Sequence, residues 1–418
     1  MSKGKLAFVI QRYGEDLVGG SESLCRSVAE MLSPDWDIEV LTSCAKDYVS
    51  WKNEYAPGVN VVNGVPVRRF PVDFERGQSF HDVFGSILGG MPAEAYHRHK
   101  PMMRQAIARA STERQLECLR LEGPYSTPFF EYIAENHSRY DLVVFFTYLY
   151  AQAFFGVQKV PAEKTVLVPT AHDEAVIAFP VFRPMFERFP AFVFLTPEER
   201  DFVHTTFDLD DVLEATIGMP VELDSRPNPD RFREKYHIRD PFVLYAGRID
   251  AAKGCDHLFR FFSVARPHLA PGLQLLLMGK QAMVVPKDPH IRYLGRLSEQ
   301  DKLDAMAAAS VLINPSFFES FSIVILEAMA CGTPVLVNGR CDVLKGQVRR
   351  SSAGLYYENY YEFLETLRLM LSDESLRLKM GENGREFVAQ NYRQAIVAQC
   401  YDNFFRRAIQ KCAESRGD

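Results

Sequence analysis

Residues 310–340, SVLINPSFFESFSIVILEAMACGTPVLVNGR, constrain this chain's fold more than any other stretch. They read as a buried strand (311–314), a loop, one helix, a stop and a second strand (334–337), which is a strand–helix–strand unit. Ser322 is a plausible N-cap, and Gly332 with Pro334 two residues beyond ends the helix. The helix body is apolar on every face except at Glu327, and a helix like that lies inside a protein. An ionised carboxylate buried there would cost several kcal/mol if left unpaired, so Glu327 needs either a side-chain partner or a ligand. Eight residues earlier, in the loop, stands Glu319. Eight residues of helix span about 12 Å, enough for two acids to hold the ends of an extended ligand. The backbone N–H groups at the helix start between them favour an anion. Acid, anion cradle and acid together describe a pocket for a sugar, a diphosphate and a ribose.

Strand and helix patterns alternate along the whole chain, which predicts parallel sheets covered on both faces. Strands are expected at 5–10, 38–42, 65–70, 141–146, 165–169, 191–195 and 215–218, then at 242–246, 273–278, 291–294, 311–314, 334–337 and 354–356. The chain has 418 residues, room for two domains of about 200 residues each. The break falls in VELDSRPNPDRFREKYHIRDP (221–241), rich in Pro and charge and poor in periodicity. The expected division is therefore a domain at 1–224, a linker at 225–240, a domain at 241–390 and a terminal amphipathic helix at 391–418. Two Rossmann-like halves joined this way would face each other across a cleft lined by the carboxyl ends of their strands. Residues 76–123 interrupt the alternation and read as a helical insertion with several basic residues. It is either a solvated appendage or a surface for an anionic acceptor or lipid headgroups.

Net charge is −6, with no global nucleic-acid signature. Residues 1–224 carry 21 basic and 32 acidic side chains against 27 and 22 in the remainder, so the second half is the basic one. Eight scattered cysteines without a C-x-x-C pair, and no histidine cluster, argue for a reduced cytoplasmic protein without structural zinc. No apolar run approaches the ~20 residues that cross a bilayer, and peripheral contact at the inner face of a membrane stays compatible with the sequence.

Three further places carry polar chemistry at expected strand ends. Gly19-Gly20-Ser21-Glu22 follows the first strand, and paired glycines let a backbone approach a ligand closely. FVLYAGRIDAAKG places Arg248 and Lys253 after Gly247, a planar fork and a point charge suited to a diphosphate. His172, in VPTAHDE, follows the strand at 165–169 with Asp173 and Glu174 beside it, where it serves either as a structural hydrogen-bonder or as a site residue. Asp208-Leu209-Asp210 spells D-x-D without companion ligands and reads as solvated charge.

PSFFESFSIVILEAMACGTPVLV resembles the E-x7-E region of retaining GT-B glycosyltransferases of the group-1 (family 4) type. G-G-x-E at Gly19–Glu22 and G-R-x4-K-G at Gly247–Gly254 resemble two further loops of that family. The resemblance implies an α/β fold of GT-B type and a nucleoside-diphosphate sugar as substrate, with neither cofactor nor metal. It implies donor contacts from Gly19, Gly20, Gly247, Leu294, Gly295, Ser320, Phe321, Ser322, Ile323 and Glu327. His172, Arg248, Lys253 and Glu319 would carry catalysis, and Glu22 and Asp173 are candidates for the acceptor side. The terminal helix would cross back to the N-terminal domain. The implied reaction is sugar transfer to a hydroxyl of a glycan or lipid-linked acceptor with retention of configuration, as in polysaccharide or glycoconjugate biosynthesis. A nucleotide-sugar epimerase on the same fold and a non-catalytic nucleotide-sugar-binding module are the alternatives. Backbone reading of the base at Leu294-Gly295 leaves the nucleobase open. Ser322, where many relatives carry glycine, and NGRCDVLKG after the second strand leave the sugar open.

Overall fold

The computed structural model describes residues 3–17, 19–221 and 226–414. The boundary expected at 224 and 225 and the chain's two ends lie outside the described residues. Two compact units form: Met1–Met219 with Val397–Asp418, and Pro220–Ile396.

The first unit holds strands β1 (Lys5–Val9), β2 (Asp37–Ser43), β3 (Gly58–Val62), β4 (Val65–Phe70), β5 (Leu142–Phe146), β6 (Thr165–Val168), β7 (Ala191–Phe194) and β8 (Leu213–Thr216). Their order in the sheet is β3-β4-β2-β1-β5-β6-β7-β8. Strands such as β5, Leu-Val-Val-Phe-Phe, are buried at every position, as parallel strands covered on both faces must be. The expected parallel sheet needs one correction, because β3 pairs antiparallel with β4 at the edge. The turn between them is Asn63-Gly64, both at positive φ (49° and 83°), the two-residue geometry that joins hairpin strands. That dipeptide is a hairpin signal, but β3 is almost wholly exposed and so carries no apolar period to mark it as a strand.

The insertion is helical, with helices at Gln78–Ile87, Tyr96–Arg109 and Thr112–Glu122. The chain's last helix, Gln394–Glu414, buries Val397, Tyr401, Phe404, Phe405, Ala408 and Cys412 along one stripe. Phe405 packs on Phe8 and Trp36 of the first unit, and Asp402 takes a hydrogen bond from Trp36 Nε1 at 3.1 Å.

The second unit's strands are β9 (Phe242–Ala246), β10 (Gln274–Met278), β11 (Ile291–Tyr293), β12 (Val311–Asn314), β13 (Val335–Asn338) and β14 (Gly354–Tyr357). All pair in parallel in the order β11-β10-β9-β12-β13-β14. The stretch expected as a linker at 225–240 contains a helix, Pro229–Tyr236, with Asn228 as a side-chain N-cap. Its charge, which made it look like a linker, docks it instead: Arg231 pairs with the buried Asp304, and Lys235 Nζ reaches Asp301 at 2.8 Å. In each sheet the strand order turns about the unit's first strand, β1 between β2 and β5, β9 between β10 and β12. Such switch points are where open α/β sheets bind ligands, beyond the strands' carboxyl ends. Among the described residues no helix is long and apolar enough to cross a membrane.

Candidate functional site

In the second unit the loops after β9, β10 and β11 lie close together, held largely by backbone hydrogen bonds. Gly247 N donates to Met278 O at 3.0 Å, Gly279 N to Gly295 O at 2.9 Å and Leu294 N to Leu277 O at 2.9 Å. A Cβ on Gly279 would stand 2.0 Å from Gly247 O, so the approach excludes any side chain there. Beyond Gly295 a Cβ would meet nothing within 4 Å, which leaves that backbone bare.

Arg248 folds onto Asp250, and Asp250 also accepts from Lys253 N at 2.9 Å. Lys253 Nζ donates to Glu319 Oε1 at 2.9 Å, so the β9 and β12 loops are joined across the switch point. The next residue, Gly254 (φ 74°), lies so close to the β12 loop that a Cβ would stand 2.3 Å from Pro315 O. The four residues Gly247, Arg248, Lys253 and Glu319 thus come together, with Asp250 as a member that the sequence reading missed although it stands between the two cations.

The loop from 315 to 322 is held by amides. Asn314 Oδ1 accepts from Ser316 N at 3.0 Å, Asn338 Nδ2 donates to Pro315 O at 3.1 Å, and Gln347 Nε2 donates to Phe321 O. The helix runs Ile323–Cys331 as expected, with Gly332 in the left-handed region at its end (φ 80°). Ser322 sits at the N-cap position but does not cap. It adopts φ 61°, and its Oγ accepts from Asn314 Nδ2 at 2.9 Å. The first N–H groups of a helix have no partner within it, so those at Ile323 and Val324 are offered outward. Phe321's side chain is 5% exposed and packs on Tyr392, which leaves only its backbone for a ligand.

Of the two partners open to Glu327, a side chain or a ligand, a side chain is present. Lys302 Nζ, on the helix Glu299–Ala308, donates to Glu327 Oε1 at 2.9 Å and reaches Glu299 Oε2 at 2.6 Å. The carboxylate therefore has an internal cation, and burial alone no longer demands a ligand for it. Burial raises the Glu327 pKa while Lys302 pulls it back. Burial lowers that of Lys302, but Glu327 and Glu299 outweigh it and leave the ammonium's pKa raised. Lys302 had no signature in the sequence, being 25 residues away on a different helix.

In the first unit Gly19 precedes the helix Gly20–Leu32, and Glu22 in its first turn is buried against Arg12 (5% and 6% exposed). Arg12 Nε donates to Glu22 Oε1 at 2.9 Å, and another guanidinium nitrogen donates to Lys46 O at 2.6 Å. Glu22 thus holds a buried cation, and its expected place on an acceptor surface is not what its surroundings favour. Asp173 is likewise occupied. Lys100 pairs with it, Arg104 reaches it at 3.2 Å and Tyr96 OH at 3.3 Å, all from the insertion's middle helix. Basic residues of the insertion that read as an anion-binding surface are therefore partly spent on the loop after β6.

That loop carries His172, part-exposed, with Glu174 Oε1 3.8 Å from its Nδ1; Glu174 in turn accepts from Tyr148 OH at 3.0 Å. The loop is anchored by Glu199, 1% exposed, whose two oxygens accept from Ala171 N and Leu195 N, each at 2.6 Å. Burial pushes the Glu199 carboxyl up to about 8 against the pull of those two amides. Tyr148 and Tyr150 follow β5 at this sheet's switch point, and lone tyrosines in an aromatic-rich run gave the sequence reading nothing to select them by. Asp208 and Asp210 lie apart from these groups, after the helix Pro197–Phe207. Among the described residues no group of three or more His, Cys, Asp or Glu side chains is placed to hold a metal ion.

Two Rossmann-like units with loops gathered at their switch points define the GT-B architecture. Sucrose-phosphate synthase from Thermosynechococcus elongatus shares it at a TM-score of 0.68 and 18% identity, over 97% of this chain and 99% of that one. Residues 228–387, within the second unit, match the family Glycosyl transferases group 1. A Campylobacter jejuni relative, N,N'-diacetylbacillosaminyl-diphospho-undecaprenol alpha-1,3-N-acetylgalactosaminyltransferase, is 31% identical over 121 residues, 28% of this chain and 31% of that protein. The capsular polysaccharide biosynthesis glycosyltransferase CapM of Staphylococcus aureus is 25% identical over 201 residues, 43% of this chain and 50% of that protein. The chain spans about a third to a half of the length of the curated relatives it matches.

Proposed function

We propose that the protein transfers a hexosyl group from a nucleoside-diphosphate sugar to a hydroxyl of a glycan or lipid-linked acceptor, with retention of configuration and without a metal. The observation that carries this reading is the family match over 228–387. Within it, Arg248, Lys253, Glu319 and the start of the helix Ile323–Cys331 follow β9 and β12, the two strands at the switch point. A diphosphate would draw Arg248 and Lys253 from their carboxylate partners, and the two cations would neutralise the charge that grows on it as it departs. In the step itself the bond from the anomeric carbon to the β-phosphate oxygen breaks. A bond to the acceptor oxygen forms on the same face, and the acceptor's proton passes to the leaving phosphate. Glu319 would orient the sugar's hydroxyls, Glu327 the ribose, and His172 would steady the sugar as positive charge develops. Two relatives, one named for a diphospho-undecaprenol-linked sugar and one for capsular polysaccharide biosynthesis, support an acceptor in glycan assembly.

A thermal-shift panel of UDP-, GDP- and ADP-sugars on wild type and Glu327→Ala tests the donor side. A shift in wild type that Glu327→Ala loses for every nucleotide supports the ribose role, and an unchanged shift removes it. With the donor so found, nucleoside diphosphate should appear in step with glycosylated acceptor, and EDTA should leave the rate unchanged. Conversion of the sugar with no acceptor present would overturn the transferase reading in favour of an epimerase.

A further inference from the structure

We propose that Lys302 is a positioning residue for nucleotide binding: it takes up Glu327 Oε1 and so leaves Oε2 directed to the two hydroxyls of the ribose. The inference rests on the donor-site reading above and adds a group outside every motif of that site. Geometry carries it. The helix Glu299–Ala308 brings Lys302 to 2.9 Å from Oε1 of Glu327, and among the described residues no hydrogen bond reaches Oε2. The Lys302 side chain is 23% exposed and that of Glu327 is 19%, enough for one edge of the carboxylate to be reached from outside. Glu299 holds the other side of the ammonium at 2.6 Å, so Lys302 cannot turn away without leaving two acids.

The helix Glu299–Ala308 is itself fixed on its far side by the helix Pro229–Tyr236, through Asp301 with Lys235 and Asp304 with Arg231. Lys302 is thus presented from a braced element, as a group that orients another must be. Charged and titratable groups around Glu327 are few. Lys302 and Glu299 come from this helix and Cys331 from its own. Arg385, on Glu374–Asn391, is bound to Cys331 O at 2.9 Å, and β12 and β13 bring none. A ribose diol binds most strongly to an ionised carboxylate, whose oxygens only accept and whose hydrogen bonds are charge-assisted. Burial works against that ionisation and Lys302 supports it. Without Lys302 the carboxyl should take up its proton at higher pH and turn a donor toward the sugar.

The test is calorimetric titration of UDP, GDP and ADP into wild type, Lys302→Met, Lys302→Arg and Glu327→Gln from pH 5.5 to 8.5. For the nucleotide that binds wild type, Lys302→Met should match it within about twofold at pH 8.5 and fall about tenfold for each pH unit below the carboxyl's new pKa. Lys302→Arg should restore the wild-type profile, and Glu327→Gln should bind weakly with no acid limb at all. Lys302→Met/Glu327→Gln, which buries no lone charge, shows whether a loss comes from misfolding: it should melt close to wild type and bind like Glu327→Gln. An acid limb in Lys302→Met superimposed on wild type overturns the inference while leaving the donor site standing. Absence of binding by wild type for all three nucleotides sinks the donor-site reading, and this inference with it.

Discussion

Two ion pairs stand at the loops of the two sheets' first strands, Arg12 with Glu22 after β1 and Lys253 with Glu319 after β9 and β12. The first is enclosed, its side chains 7% and 6% exposed, and the second is open, at 35% and 15%. Enclosed charges cannot exchange partners without leaving one of them stranded in a low-dielectric interior, so Arg12 and Glu22 serve the fold of the β1 loop. An open pair contributes little to stability and is available to a ligand that offers more charge. Similar motifs, glycines followed by an acid or a base at a strand's end, thus do different work in the two units.

The comparison breaks most visibly at Arg12. Replacing it by alanine strands Glu22 and should cost about 3–5 kcal/mol of stability, read as a lower denaturant midpoint with unchanged slope. A loss below about 1 kcal/mol would put this pair in the same class as the other. At Lys253 the effect should move from stability to activity. Lys253→Ala should change stability by less than about 1 kcal/mol and lower the turnover of the donor about 100- to 1000-fold. A melting point that collapses along with the rate would show Lys253 to be a fold residue too.

Glu199 sharpens the contrast, because it is buried and among the described residues no cation pairs with it. Its carboxyl is raised by burial to about 8, above the value near 4.5 of a free chain. The folded state therefore binds the proton more tightly, and the stability that Glu199 contributes is lost as pH rises from about 4.5 to about 8. Glu199→Gln keeps one acceptor and turns an amide N–H₂ against the backbone N–H of Ala171 or Leu195. It should cost about 1–3 kcal/mol at pH 6, and the gap to wild type should narrow by pH 9. A gap that stays constant across that range would mean the carboxyl does not titrate there. Because the loop it holds carries His172, turnover should fall with stability in this variant.

The fold was legible where burial enforced a pattern. Strands such as β9 and β12 are found at the residues expected, because parallel strands covered on both faces must be apolar throughout. The edge strand β3 carries no such demand, and the helix Pro229–Tyr236 hides its one buried residue, Phe232, among charges. At the site, residues adjacent in sequence were readable, as with Gly247, Arg248 and Lys253 on one loop. Lys302 with Glu327, and Lys100 and Arg104 with Asp173, are brought together by tertiary packing from helices far along the chain. Local spacing carries no trace of them. The reasoning that Glu327 needs a partner was sound, and only the structure could say that a side chain supplies it.

Ser322 offers the finest measure of how far a loop in the open unit is built for its ligand rather than for itself. It holds φ 61°, a region that costs an L-residue about 1–2 kcal/mol, and its hydroxyl recovers about 1 kcal/mol through the bond from Asn314 at 2.9 Å. Ser322→Gly removes both terms, so the two should nearly cancel, with a stability change within about 1 kcal/mol of zero. Ser322→Ala keeps the backbone cost and loses the bond, and should fall below both wild type and the glycine variant. If the alanine variant instead matches wild type, the Asn314 bond holds nothing. The helix start would then owe its position to the amides at Asn338 and Gln347 alone.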